Sequence, residues 1–244
     1  MSAGPRQQGR AAAAQRAAGE RSAGPRTAGI PFVVAAPSGT GKTTVCRLVV
    51  ERDPRVELSV SHTTRARRPG EQDGVAYHFV SREGFQELID AKAFLEWAEY
   101  HGNRYGTSWA ALEAPLARGR DVLLEIEVQG ARQVRERLPN ARLIFLVPPS
   151  LEVLEARLRS RGTEPEEAVE GRLRLARLEL AQADGLFHFA VVNDDLDGCV
   201  AKVCEILRAE REGSGETLQR RFDPARALTE LRAGALPRPV DRIP

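Results

Sequence analysis

Apolar residues along this chain fall into short, dense runs separated by stretches with helical spacing. "PFVVAA" from Pro31, "DVLLEIEV" from Asp121, "ARLIFLVPP" from Ala141 and "FHFAVVND" from Phe187 are rich in β-branched and aromatic residues and read as strands. "VELSVSHTT" alternates apolar and polar positions and reads as a further strand of the same sheet. Apolar spacing predicts a helix from Lys42 and others over 129–138, 150–160, 166–183 and 195–211. After Gly162, Thr163 and Glu166 have the spacing of a capping box that restarts a helix. Apolar strands alternating with helices predict an α/β fold, a parallel sheet covered on both faces.

Two regions break the rhythm. Residues 65–107 mix short alternating pieces, turns and one helix, and hold all three tyrosines, which marks an inserted small α+β lobe over 61–110. Residues 157–177 turn sharply with arginines on both sides, which marks a lid. The core is then expected at 31–60, 111–156 and 178–213. Residues 1–30 have almost no large apolar side chains and read as a disordered basic arm. The stretch 214–244 reads as a tail, with one short helix conceivable around "PARALTELRAG". Residues 31–213 are therefore expected to fold and work alone.

Composition narrows the class. Hydrophobic residues make up 42% of the 244, enough for a real core, and the net charge is only +2. The arm carries +4 and the tail +2, so the segment between them is at −4, and no nucleic-acid partner is expected. Cys46, Cys199 and Cys204 have no metal-type spacing and fit a reducing, cytoplasmic compartment. No apolar run approaches the roughly 18 residues needed to span a bilayer. Oligomeric state is left open.

Chemistry enters at "APSGTGKTT", between the first strand and its helix. A glycine-rich strand-to-helix turn aims several backbone N–H groups at one point, and the helix dipole adds positive potential there. Ala36, Pro37, Ser38, Gly39, Thr40, Gly41, Lys42 and Thr43 follow the phosphate-binding pattern G-x-x-x-x-G-K-[ST], with Ala36 in the first glycine position. Lys42 suits the outer phosphates of a bound nucleotide, and the Thr43 hydroxyl suits Mg²⁺. Glu125, after "VLL", is placed to help hold that ion. Arg157 and Arg161, one helical turn apart, and Arg172 on the next helix suit a closing flap that meets the negative transition state.

A second substrate needs its own contacts. Ser61, Arg65 and Arg68 at a strand end can clamp a phosphate, with Tyr77 and Tyr105 as hydroxyl donors. Glu96 in "FLEWAEY" can accept from the adjacent N–H donors of guanine. Adenine would leave that carboxylate unpaired.

The ordered strings "APSGTGKTT", "SVSHTTRARRPGE", "GVAYHFVS", "FLEWAEYHGNRYGT", "EIEVQGA", "LVPPS", "RLRSRGTE" and "VVNDDL" resemble guanylate kinase from about Phe32 to about Arg208. The resemblance implies a nucleoside monophosphate kinase fold with core, lid and GMP lobe, and transfer from ATP to GMP, and to dGMP, with Mg²⁺, in purine nucleotide metabolism. It implies Lys42, Arg65, Arg157, Arg161 and Arg172 in catalysis and Asn193 near the adenine of ATP. It implies Ser61, Arg65, Arg68, Tyr77, Glu96, Tyr105, Thr107 and Glu127 as GMP contacts. Thr107 replaces a common serine, and Glu125 and Glu127 stand where aspartates are common. A kinase for another small phosphate should lack Glu96 and Thr107. A non-catalytic binding module of the same fold should lack Lys42 and Thr43.

Overall fold

The computed structural model describes residues 28–100, 102–160, 166–234 and 236. Five strands form a parallel sheet: β1 (Pro31–Ala35), β2 (Val56–Leu58), β7 (Asp121–Glu125), β8 (Arg142–Val147) and β9 (Phe189–Val192), in the order β2-β7-β1-β8-β9. Alternate residues of each strand point to opposite faces, so the sheet has two cores. Phe32, Val34, Leu123, Ile144 and Leu146 pack with helices α1 (Lys42–Arg52) and α7 (Leu196–Arg211) on one side. Val33, Ala35, Leu124, Leu143 and Phe145 pack on the other, with α4 (Val128–Arg137) and the start of the chain after α6 (Glu166–Gln182). The α/β prediction holds, and the strands are buried on both faces as their uninterrupted apolar runs require.

A second sheet, ordered β4-β3-β6-β5, forms the inserted lobe from β3 (His62–Thr63), β4 (His78–Phe79), β5 (Phe94–Tyr100) and β6 (Asn103–Ser108). Helix α2 (Arg82–Asp90) lies between β4 and β5 and is capped by the Ser81 hydroxyl, which accepts from Gly84 N–H at 3.0 Å. Helix α3 (Ala110–Ala117) returns the chain to the core.

Three expectations need correction. "VELSVSHTT" is not one strand: Val56–Leu58 joins the parallel sheet and His62–Thr63 joins the lobe sheet. Alternation reports an extended chain but not which sheet will hydrogen-bond to it. Helix α3 was not expected; Pro115 inside it removes a backbone donor and hides the helix in the sequence.

The third correction is larger. The stretch from Ser214 is not a loose tail: α8 (Gly215–Gln219) and α9 (Pro224–Arg232) fold onto the sheet. Phe222 enters one core, while Leu228, Leu231 and Leu236 enter the other. The Ala190 N–H of edge strand β9 donates to Phe222 O at 2.8 Å, so this segment also covers a sheet edge. Its few apolar residues suffice because the sheet supplies the rest of the surface. At the other end, Ile30 is already buried, and its N–H donates to Asp121 Oδ1 at 2.8 Å. Residues 1–27 of the expected arm, the capping residue Thr163 and the middle of the lid lie outside the described residues.

Candidate active site

The phosphate loop lies at the C-terminal end of β1, where ligands of open parallel sheets gather. Gly39 and Gly41 have φ of 89° and 95°, a left-handed conformation that favours glycine. A methyl group at Gly39 would also lie 2.8 Å from Leu158 Cδ2, so the loop is packed against α5 (Leu151–Arg159).

Lys42, the first residue of α1, turns back toward the sheet. Its ammonium donates to Ile126 O at 2.8 Å and to Glu127 Oε1 at 2.9 Å. Burial opposes its charge, but Glu127 and Glu125 outweigh that and hold its pKa above the ordinary lysine value. Beside it the Thr43 hydroxyl donates to Glu125 Oε1. A hydroxyl and a carboxylate oxygen meeting at a phosphate loop form a donor set of hard oxygens that fits Mg²⁺.

Asn193, just past β9, is buried and donates through Nδ2 to Thr40 O at 2.6 Å. Arg157 on α5 donates to Asn193 O at 3.0 Å. The structure thus brings Arg157 and Asn193 to the same loop. Arg172 is on α6, and its charge acts on Tyr100. Arg161 lies outside the described residues.

The lobe residues form a second cluster. Ser61 and Thr107 have hydroxyls 3.1 Å apart. Arg65 makes a two-pronged ion pair with Glu71, at 2.7 and 3.1 Å, and its guanidinium carbon is 5.5 Å from the centroid of the Tyr77 ring. Tyr77 and Tyr105 meet edge to face at 5.9 Å. Glu71 also accepts from Arg68 N–H at 2.7 Å, which fixes the arginine loop.

Glu96 is 4% exposed, so it is no surface strand residue. Its Oε1 accepts from Thr107 N–H at 2.9 Å, and burial pushes its pKa up to about 7 despite that hydrogen bond. Each carboxylate oxygen has two lone pairs, so the Thr107 contact leaves acceptor capacity.

Four contributors escaped sequence reasoning. Glu71 sits inside "RARRPGEQDG", where no spacing sets it apart from the neighbouring loop charges. Gly130 lets α4 approach Glu96, since a methyl there would lie 2.3 Å from Glu96 Oε2. Tyr100, at the end of β5, faces Ser38 of the phosphate loop, and burial pushes its phenol pKa up. Glu179 accepts from Ser38 N–H at 3.4 Å. Its signal was available: it falls on the buried stripe of α6 with Val169, Ala176 and Leu180.

Known proteins resemble this chain over most of its length. The guanylate kinase family profile matches residues 28–210. The chain is 50% identical to the guanylate kinase of Aromatoleum aromaticum over 183 residues, 75% of this chain and 89% of that one. It is 51% identical to the guanylate kinase of Neisseria gonorrhoeae over 180 residues, 74% of this chain and 87% of that one. The crystal structure of guanylate kinase from Anaplasma phagocytophilum superposes with a TM-score of 0.64 at 32% identity, covering 86% of this chain and 97% of that one. The phosphate loop, the inserted lobe and helices α5 and α6 all lie within the matched span, and the chain belongs to the guanylate kinase family.

Proposed function

We propose that this guanylate kinase phosphorylates GMP by holding it in line with the γ-phosphate of ATP, and that the clusters around Lys42 and Glu96 are the two halves of the site. The carrying observation is the bridge between them at the head of α4: Glu127, its N-cap residue, accepts from Lys42 at 2.9 Å, and Gly130, one turn on, lies against Glu96 Oε2. In this reading ATP occupies Ala36, Pro37, Ser38, Gly39, Thr40, Gly41, Lys42 and Thr43, with Asn193 beside the base. Core, lobe and lid are the units that bring the substrates together.

The GMP phosphate is an anionic nucleophile, so no general base is required. What the chain supplies is position and compensating charge. Arg65 and Arg68, with Tyr77 and Tyr105, hold the GMP phosphate. Glu71 and Ala66 O fix the Arg65 fork through three of its five donors. Glu96, Ser61 and Thr107 read guanine, and Glu127 stands beside them at the head of α4. Lys42 follows the moving phosphoryl group, releasing Ile126 O and Glu127. Arg157, Arg161 and Arg172 close from the lid. Thr43 and Glu125 would hold Mg²⁺, which, when bound, neutralises phosphate charge. The same pocket accepts dGMP, since none of these contacts requires the 2′-hydroxyl.

Among the described residues no helix is long and apolar enough to cross a membrane. The free cysteines support a cytoplasmic location. The test is ADP formation from ATP and Mg²⁺ with GMP, dGMP, AMP, CMP and UMP in turn. GMP should lead, with dGMP next. Equal rates with AMP would sink the assignment of Glu96.

A further inference from the structure

Glu96 sits on an irregular strand. β5 is an edge strand of the lobe sheet, and its register against β6 shifts between Phe94 and Glu96. Such an irregularity re-aims a side chain and disrupts the ladder that holds it. An edge strand also presents a row of backbone groups for which its own sheet has no partner. Helix α4 of the core meets this edge. Gln133 Nε2 donates to Trp97 O at 2.7 Å, and Gln133 Oε1 accepts from Trp97 N–H at 3.3 Å. One turn on, Arg137 Nη1 donates to Leu95 O at 2.7 Å. Glu96 thus lies between two residues whose backbone groups are held by the core. The spacings suit each other: two strand residues span about 6.6 Å, and four helical residues rise about 6 Å. Glu127, Gly130, Gln133 and Arg137 follow at steps of three and four, so one face of α4 meets Lys42, Glu96, Trp97 and Leu95 in turn. Within the lobe, the Trp97 ring meets Phe85 edge to face at 6.4 Å and lies under the Arg104 guanidinium at 5.9 Å.

We propose that Gln133 is a positioning residue for guanine recognition: by taking both backbone groups of Trp97 it fixes the irregular segment of β5, and with it the Glu96 carboxylate, against the core. This rests on the reading of Glu96 as the guanine reader and adds the part of the core that aims it. A carboxamide suits the task, because one planar head carries a donor and an acceptor side by side, as the edge of a neighbouring strand does. Thr107 N–H, the other group that orients Glu96, belongs to the same lobe sheet. It turns the carboxylate within the lobe but cannot set its place relative to the phosphate loop. Gln133 can, since its helix begins at Glu127, the partner of Lys42.

Steady-state kinetics on the full chain, with Mg²⁺-ATP and either GMP or AMP, test this in Gln133→Leu, Glu96→Gln and the variant carrying both changes. Leucine keeps the bulk of Gln133 and loses both hydrogen bonds. Gln133→Leu should raise KM for GMP by roughly tenfold, leave KM for ATP within about twofold and narrow the GMP-to-AMP ratio of kcat/KM. In the Glu96→Gln background the same change should do little more, because the group it positions is already lost. Gln133→Met, unbranched and as long as glutamine, repeats the test should the branched side chain fail to pack. A side chain that merely covered a sheet edge would lower the melting temperature and leave the base preference alone. GMP kinetics within about twofold of wild type, equal rises in KM for GMP and ATP, or a fully additive loss in the combined variant would each overturn the proposal. Glu96→Gln is the separate control. An unchanged GMP-to-AMP preference there removes the guanine reader and the proposal with it, whereas a loss there beside a neutral Gln133→Leu removes Gln133 alone.

Discussion

Glu96 Oε1 accepts the Thr107 backbone N–H at 2.9 Å across the β5–β6 pair, and Glu96 Oε2 lies against Gly130 of α4. The carboxylate is thus oriented by one neighbour and enclosed by another before any base arrives. Burial pushes its pKa up to about 7, so near neutral pH only part of the carboxyl population is in the acceptor form that guanine needs.

The sign of the pH effect follows. Burial raises the Glu96 pKa, so the acceptor form gains as pH rises through about 7. kcat/KM for GMP should rise over that window. A phosphate monoester loses its second proton near ~6, so GMP contributes a limb of its own. Glu96→Gln should keep the substrate limb, lose the one near 7 and cost about 2–4 kcal/mol in kcat/KM for GMP. ATP affinity should barely change. An unchanged GMP-to-AMP preference in Glu96→Gln would remove the residue from recognition.

Gly130→Ala separates stability from recognition. Alanine is the better helix former by roughly 1 kcal/mol, so α4 alone would gain. The new methyl, 2.3 Å from Glu96 Oε2, must displace the carboxylate. KM for GMP should rise by about tenfold or more while the melting temperature moves by only a few degrees. A variant with normal GMP kinetics would show that Glu96 can move without consequence.

Lys42→Met removes the cation now held by Ile126 O and Glu127. Turnover should fall by roughly two orders of magnitude, as with loss of one transition-state donor. Single-turnover rates with both substrates saturating check this, and a change under twofold counts against the mechanism.

Truncation after Gly213 should no longer leave a self-sufficient domain. It removes Phe222, Leu228 and Leu231, whose burial stabilises by roughly 1.5–3 kcal/mol each, and exposes the Ala190 N–H. At about 2–4 °C per kcal/mol, the melting temperature should drop by roughly 10 °C or more, or the fragment should be insoluble. A fragment melting within about 2 °C of the full chain would return this segment to the status of a tail.

What the sequence determined by itself was whatever depends on neighbours along the chain. "APSGTGKTT" specifies its loop because its left-handed glycines, its lysine and its helix start are consecutive, and the strands announced themselves because burial on both faces demands unbroken apolar runs. Tertiary structure alone decided which groups meet across distance. Glu179 accepts from the Ser38 amide 141 positions away, a pairing no local period encodes. Glu71 became the partner of Arg65 only when the arginine loop folded back on itself. The C-terminal helices carry too little apolar surface to show a core by composition. They are ordered because the edge of β9 and the exposed face of Phe145 and Leu143 needed covering, and that surface exists only once the sheet has formed.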